Sequence, residues 1–237
     1  MPTATKAALE DLLRTRRLQA EEPPLRGEDR RSPVPTGIAP IDALLGGGIP
    51  RGQTSEIHGP ASSGRTGLAL GVVARLTRAG ALAAWVDPAD RLDPASAASA
   101  GADLARLLWL RGPREGAEAA GVLVDAVAAL ATVLGSGLFE VVVFDLAGVP
   151  AGELRRLPGT TWVRLQRAVE ATKTALVLLA EGHTAQGPGG ISLGLGPSGP
   201  RWSGEPGPGR LLRGLAAQAV TGRYGVRRAP LELKAWE

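Results

Sequence analysis

The chain has 237 residues, 44 % hydrophobic and 21 % charged, a size and composition that suit one α/β domain with a short appendage and need no covalent staple. It contains no cysteine and only two histidines, His58 and His183, which excludes disulfide frameworks, zinc ribbons, iron–sulfur clusters, cysteine nucleophiles and histidine-rich metal sites. The formal charge of +4 comes from 24 arginines and 3 lysines against 23 acids; a dedicated nucleic-acid binder carries more, and arginine, alanine, glycine and proline in such excess fit a GC-rich genome equally well. No apolar run reaches the roughly 18–20 residues of a bilayer span, and the first 17 residues place charges where a signal peptide keeps its apolar core. The expectation is a cytoplasmic protein with no membrane contact.

Residues 1–35 read as an N-terminal helix and a linker, and 36–237 as the main domain. Over 4–20, Leu9, Leu12 and Leu13 form a narrow apolar patch at helical spacing among charged neighbours, so the helix is expected to dock, on a partner, on a second copy or on its own domain. Residues 21–36 are polar and proline-rich. Strands are expected at 53–58, 81–86, 107–110, 140–144 and 174–179, and helices at 64–78, 94–106, 115–134 and 161–172. Short apolar runs separated by helices are what a mostly parallel sheet covered on both faces requires, so the fold class is three-layer α/β. Ten glycines and five prolines over 182–209 predict a mobile loop with no packed element, and 210–236 predicts one or two terminal antiparallel strands.

The chemistry concentrates at Gly59-Pro60-Ala61-Ser62-Ser63-Gly64-Arg65-Thr66, which has the spacing of a phosphate-binding P-loop with arginine in the place of lysine. Such a loop turns successive N–H groups inward as an anion nest and opens a helix whose N-terminus adds positive potential. ATP or ADP with Mg²⁺ is the cofactor this site would take, with Thr66 placed to ligate the metal. The run 141–145 is four apolar residues ending in Asp145, the form of a Walker B strand, which delivers a second metal-directed carboxylate. A glycine–serine turn and an ordinary strand-end aspartate remain the plain alternatives.

Residues 36–111 resemble the RecA family. The lead-in from Thr36-Gly37 through Asp42, Leu44-Leu45 and Gly46-Gly47-Gly48-Ile49-Pro50-Arg51-Gly52 is similar to that family's, as are Glu56-Ile57-His58-Gly59-Pro60 and the run from Asp87 to Asp93-Pro94. The resemblance covers 36–180 well and implies a RecA-like P-loop core. It also marks departures. The position of the family's catalytic glutamate is Ala89, with Asp87 and Asp90 close by, and its nucleotide-sensing glutamine aligns with Glu181. Both DNA-binding loops are altered.

Within that family, Arg65 in the P-loop and the run from Gly101-Ala102-Asp103-Leu104 through Arg106-Leu107-Leu108-Trp109-Leu110-Arg111 resemble the ImuA accessory proteins of bacterial mutagenesis cassettes. That resemblance implies a non-catalytic or weakly catalytic adaptor in damage-induced translesion synthesis. Its implied partners are an ImuB-like Y-family polymerase homologue, RecA and an error-prone replicative-type polymerase. An active ATPase acting on DNA or a protein complex is the alternative.

Two arginine groups, Arg155, Arg156, Arg164 and Arg167, and Arg210, Arg213, Arg223, Arg227 and Arg228, could touch phosphate, but aromatics for base stacking are few, so only weak DNA contact is expected. Trp109 and Trp162 are expected in the core or at its edge. Trp202 in the glycine-rich stretch and Trp236 near the end are partner-binding candidates together with Leu9, Leu12 and Leu13. His58 is expected to be structural.

Overall fold

The computed structural model describes residues 3–19, 32–113, 121–184, 190–222 and 226–234. In chain order the elements are α1 (Thr3–Gln19), α2 (Ala39–Leu45), β1 (Thr54–His58), α3 (Arg65–Arg78), β2 (Ala83–Asp87), α4 (Pro94–Ser99), β3 (Leu107–Arg111), α5 (Val122–Ser136), β4 (Val141–Asp145), α6 (Ala151–Arg156), α7 (Gly159–Glu170), β5 (Ala175–Ala180), β6 (Ser192–Leu195), β7 (Gly199–Ser203), β8 (Leu211–Thr221) and β9 (Arg227–Lys234).

Among the described residues, nine strands form one sheet in the order β3-β2-β4-β5-β1-β6-β8-β7, with β9 on the other edge of β8. β1 to β6 run parallel, and β8 is antiparallel to β6, β7 and β9. The two-residue period of a strand sorts its side chains between two cores. Ala83, Trp85, Val141, Val143, Val177 and Leu179 face the core under α2, α3 and α4. Ala84, Val86, Val142, Phe144, Leu176 and Leu178 face the core under α1, α5 and α7. Each large side chain so removed from water contributes about 1.5–3 kcal/mol.

Several expectations change. Leu9 and Leu13 are not partner-facing: they are buried where α1 packs on α5, while Leu12 is 45 % exposed. A narrow leucine patch needs one covering surface, and α5 supplies it within the chain. The helix expected over 94–106 is broken in two. Asp93 caps α4, accepting from the Ser96 amide at 2.9 Å, and Gly101 at φ +91° turns the chain toward a 3-10 turn at Leu104–Arg106. A short helix, α6, is added after β4. The helix expected from 115 is described from Val122 onward, the stretch before it lying outside the described residues.

The glycine-rich stretch 182–209 holds two strands rather than none. A ladder is built from backbone groups, so a residue without a side chain can join it, and glycine is needed where two backbones meet closely. A Cβ on Gly190 would lie 1.8 Å from the Thr54 carbonyl oxygen, and the Gly190 amide donates to Gln53 Oε1 at 2.8 Å. The predicted antiparallel terminal strands are present as β8 and β9.

Candidate functional site

The lead-in is held by one carboxylate. Asp42, in the first turn of α2, accepts from the Thr36 amide (2.6 Å), the Thr36 hydroxyl (2.7 Å) and the Gly37 amide (3.2 Å). This ties the domain's entry to α2, and a bridge from Val34 to Ile49 closes the segment that leads into β1.

The 59–66 loop follows β1 directly and opens α3. Ser62 (φ +60°) and Gly64 (φ +93°) adopt left-handed backbone, a local reversal of the kind from which anion nests are built. A Cβ on Gly59 would lie 2.5 Å from the Leu195 carbonyl oxygen and 2.7 Å from Ser63 Oγ, so the loop is wrapped against β6. Leu233 of β9 packs beside Gly64, so the C-terminal strands flank the loop.

Arg65 is buried and turned into the loop, where its guanidinium donates to the Gly59 carbonyl and to the Pro60 carbonyl at 2.8 Å. It also lies 3.9 Å from Glu181, which is exposed just past β5, the strand between β1 and β4. Arg65 Nε and Ser63 Oγ are buried without a hydrogen-bond partner among the described residues. Buried donors without acceptors are costly, and phosphate oxygens would supply acceptors, so the loop fits a phosphate group.

Asp145 and Asp87 end the adjacent strands β4 and β2. Burial pushes the Asp145 carboxyl up to about 6; Asp87 nearby adds to the rise, while the Ala147 amide, donating to Oδ1 at 3.0 Å, and Arg65 oppose it. Asp87 Oδ2 accepts from the Leu92 amide (2.8 Å) and the Trp109 indole (3.2 Å), whereas Oδ1 is buried with no hydrogen-bond partner among the described residues. Thr66 is exposed in the first turn of α3. These are oxygen donors only, the set that a hard Mg²⁺ ion takes. The structure brings Arg65, Glu181, Asp145 and Asp87 together at the C-terminal ends of the parallel strands.

No carboxylate stands at Ala89. Asp90 is engaged by a bidentate pair with Arg111 at 2.8 Å in both arms, and the Arg111 guanidinium lies 4.3 Å over the Trp109 ring. The 101–111 run is therefore a support for the Asp87–Asp90 segment. Sequence reasoning missed the Trp109–Asp87 bond and the contact between buried Glu56 and His183. The alternating Glu56-Ile57-His58 was the available signal for the latter, since residues two apart on a strand share a face.

Trp162 is buried and Trp109 half-buried, as expected. Trp202 lies on β7, 44 % exposed, with the Arg210 guanidinium 5.2 Å from its ring. Trp236 and Arg223 lie outside the described residues. The remaining candidate arginines are all exposed; Arg213 donates to Ser203 Oγ at 2.7 Å. No helix among the described residues is long and apolar enough to cross a membrane.

Residues 26–169 match the RecA N-terminal domain. Protein RecA of Paenarthrobacter aurescens (strain TC1) is 40 % identical over 146 residues, covering 59 % of this chain and 40 % of that protein. Protein RecA of Crocosphaera subtropica is 42 % identical over 135 residues, covering 56 % of this chain and 36 % of that protein. The chain thus spans about two fifths of the length of these curated relatives. The crystal structure of the RadB recombinase superposes with a TM-score of 0.59 at 19 % identity, covering 84 % of this chain and 95 % of that one, a likeness of fold. The matched segment contains the lead-in, the P-loop and both strand-end aspartates, and by it the chain belongs to the RecA family.

Proposed function

We propose that the chain is a non-catalytic or weakly catalytic RecA-family adaptor of the ImuA kind, acting in damage-induced translesion synthesis and mutagenesis. The observation that carries this reading is the state of the hydrolytic site. The P-loop keeps its wrap, but Arg65 spends its guanidinium on the loop's own carbonyls, and Ala89 offers no base to a water. Arginine keeps the charge of the family's lysine but is a planar fork rather than a compact donor, which disfavours in-line phosphoryl transfer more than binding.

ATP or ADP would sit at 59–66, with Arg65 and Ser63 toward phosphate and Thr66 and Asp145 toward Mg²⁺. The bound metal would neutralise phosphate charge; the chain's own residues bind and orient. The partners proposed are an ImuB-like Y-family polymerase homologue, with RecA and an error-prone replicative-type polymerase as further ones. Exposed Leu12 and Trp202 are candidate contacts, as is Trp236. DNA contact is proposed only as weak and through the exposed arginines.

The test is calorimetry with ATP and ADP in Mg²⁺, with Thr66→Ala as control, alongside turnover and co-purification with the polymerase homologue. The expected result is binding without turnover above background, and a complex that weakens in Trp202→Ala. One observation favours a rival: Glu181 is an exposed acid beside Arg65 at the P-loop. Turnover that falls in both Glu181→Gln and Asp145→Ala would replace the adaptor with an active ATPase.

A further inference from the structure

Glu56, His58 and His183 each present one ligand atom within 4.8 Å of the others. Glu56 and His58 lie two residues apart on β1 and so share a face, and His183 arrives from the chain that leaves the neighbouring strand β5. From these positions we infer that the triad is a binding site for one divalent transition-metal ion, represented by Zn²⁺. The site lies outside the phosphate loop's Mg²⁺ donors, although His58 immediately precedes Gly59.

Two imidazoles and one carboxylate are a zinc donor set that leaves a fourth position for water. The hard cations that serve phosphates prefer all-oxygen sites, so this triad selects a different ion from the one at Thr66 and Asp145. Bonds of about 2.0–2.2 Å place tetrahedral ligand atoms about 3.3–3.5 Å apart, so closure asks for movements of about an ångström. His183 can supply much of it, being 59 % exposed at the side chain.

The less movable ligands are already oriented. The Glu56 side chain is 3 % exposed; its Oε1 accepts from the Thr184 amide at 2.7 Å, and its Oε2 contacts His183 Nδ1. An outer hydrogen bond of that kind aims a ligating carboxylate. Opposite His58 in the sheet stands Gly194, where a Cβ would lie 3.1 Å from the imidazole Cε1, so a residue without a side chain leaves the ring its place. The ion would replace the hydrogen bond between Glu56 and His183, with His183 bound as the neutral imidazole and its remaining proton on the other ring nitrogen. It would cross-link the end of β1 to the chain leaving β5, the segment that also carries Glu181.

The test uses the untagged full chain, stripped with a chelator, in nucleotide-free buffer with excess Mg²⁺. Zn²⁺ is titrated by calorimetry and Co²⁺ by its visible d–d absorption. The chain has only these two histidines and no cysteine, so nitrogen ligation by side-chain imidazole can arise nowhere else. The expected result is one equivalent of Zn²⁺ bound with Kd at or below about 1 μM, weakened at least about 10-fold in His183→Ala, and a four-coordinate Co²⁺ spectrum lost in the same variant. His183 is exposed, so this change spares the core; His58→Gln gives a second reading on the opposite ligand. Absence of binding tighter than about 100 μM would overturn the inference, as would binding that His183→Ala leaves unchanged.

Discussion

Asp145 carries a strong consequence for stability. Its carboxyl is raised from 3.8 to about 6, first by burial and then by Asp87. A group whose folded value exceeds its unfolded value favours folding below the unfolded value, and that advantage is lost as pH rises through the folded value. Each tenfold change in proton affinity is worth about 1.36 kcal/mol, so the ionised carboxylate burdens the fold by about 3 kcal/mol at neutral pH. Asp145→Asn removes the charge and keeps an oxygen that can accept from the Ala147 amide. It also gives up the attraction to Arg65, which reduces the gain. The variant should therefore be more stable than the parent by about 1–3 kcal/mol near pH 8, a rise of about 3–9 °C in Tm for a domain of this size. Toward about pH 4 the parent carboxyl is protonated in the folded state and the difference should shrink toward zero. Urea unfolding of both proteins across this range, at constant ionic strength, reads the effect. A variant no more stable than the parent near pH 8, or equally stabilised at both ends, would refute the assignment of Asp145 as a desolvated acid.

Truncating Leu13 to alanine should cost about 2–4 kcal/mol in urea unfolding, whereas Leu12→Ala should stay within about 0.5 kcal/mol; equal effects would mean that α1 does not pack on α5 as described. Gly59→Ala sets a Cβ 2.5 Å from the Leu195 carbonyl oxygen, so it should lower stability by about 1–3 kcal/mol and reduce nucleotide affinity in calorimetry. An unchanged melting curve would contradict the close wrap of the loop on β6. Arg65→Ala removes the donor to the Gly59 and Pro60 carbonyls and should weaken ATP binding at least about 10-fold by calorimetry. Restoring both missing groups in Arg65→Lys with Ala89→Glu should raise ATP turnover above that of either single change; no rise would show that the hydrolytic defect lies elsewhere.

The strand–helix alternation was legible because it rests on local chemistry. Runs such as 141–144 and 175–180 are apolar on both strand faces, and a parallel sheet covered on both sides by the intervening helices uses such strands. The P-loop was legible for a similar reason: its spacing is dictated by backbone geometry within eight consecutive residues. Where the reading went astray, the deciding contact was distant in sequence. The stretch 182–209 looked unstructured because its glycines carry no burial pattern, yet β1 and β8 supply the ladder on either side of β6. Likewise the leucines of α1 announced a docking face without naming the surface that α5 provides.

The sequence by itself determined the α/β class, the order of its parallel strands along the chain, and the phosphate loop with its arginine, since these depend on neighbouring residues and their periodicity. Tertiary structure alone decided where the functional groups meet. Arg65 bonds the carbonyls of its own loop and faces Glu181 from another strand, Asp90 is committed to Arg111, and Glu56 reaches His183 across 127 positions of chain. Such pairings are set by strand order and register, which a side-chain pattern does not encode: the same apolar strand can take several neighbours, and packing of the whole sheet selects one.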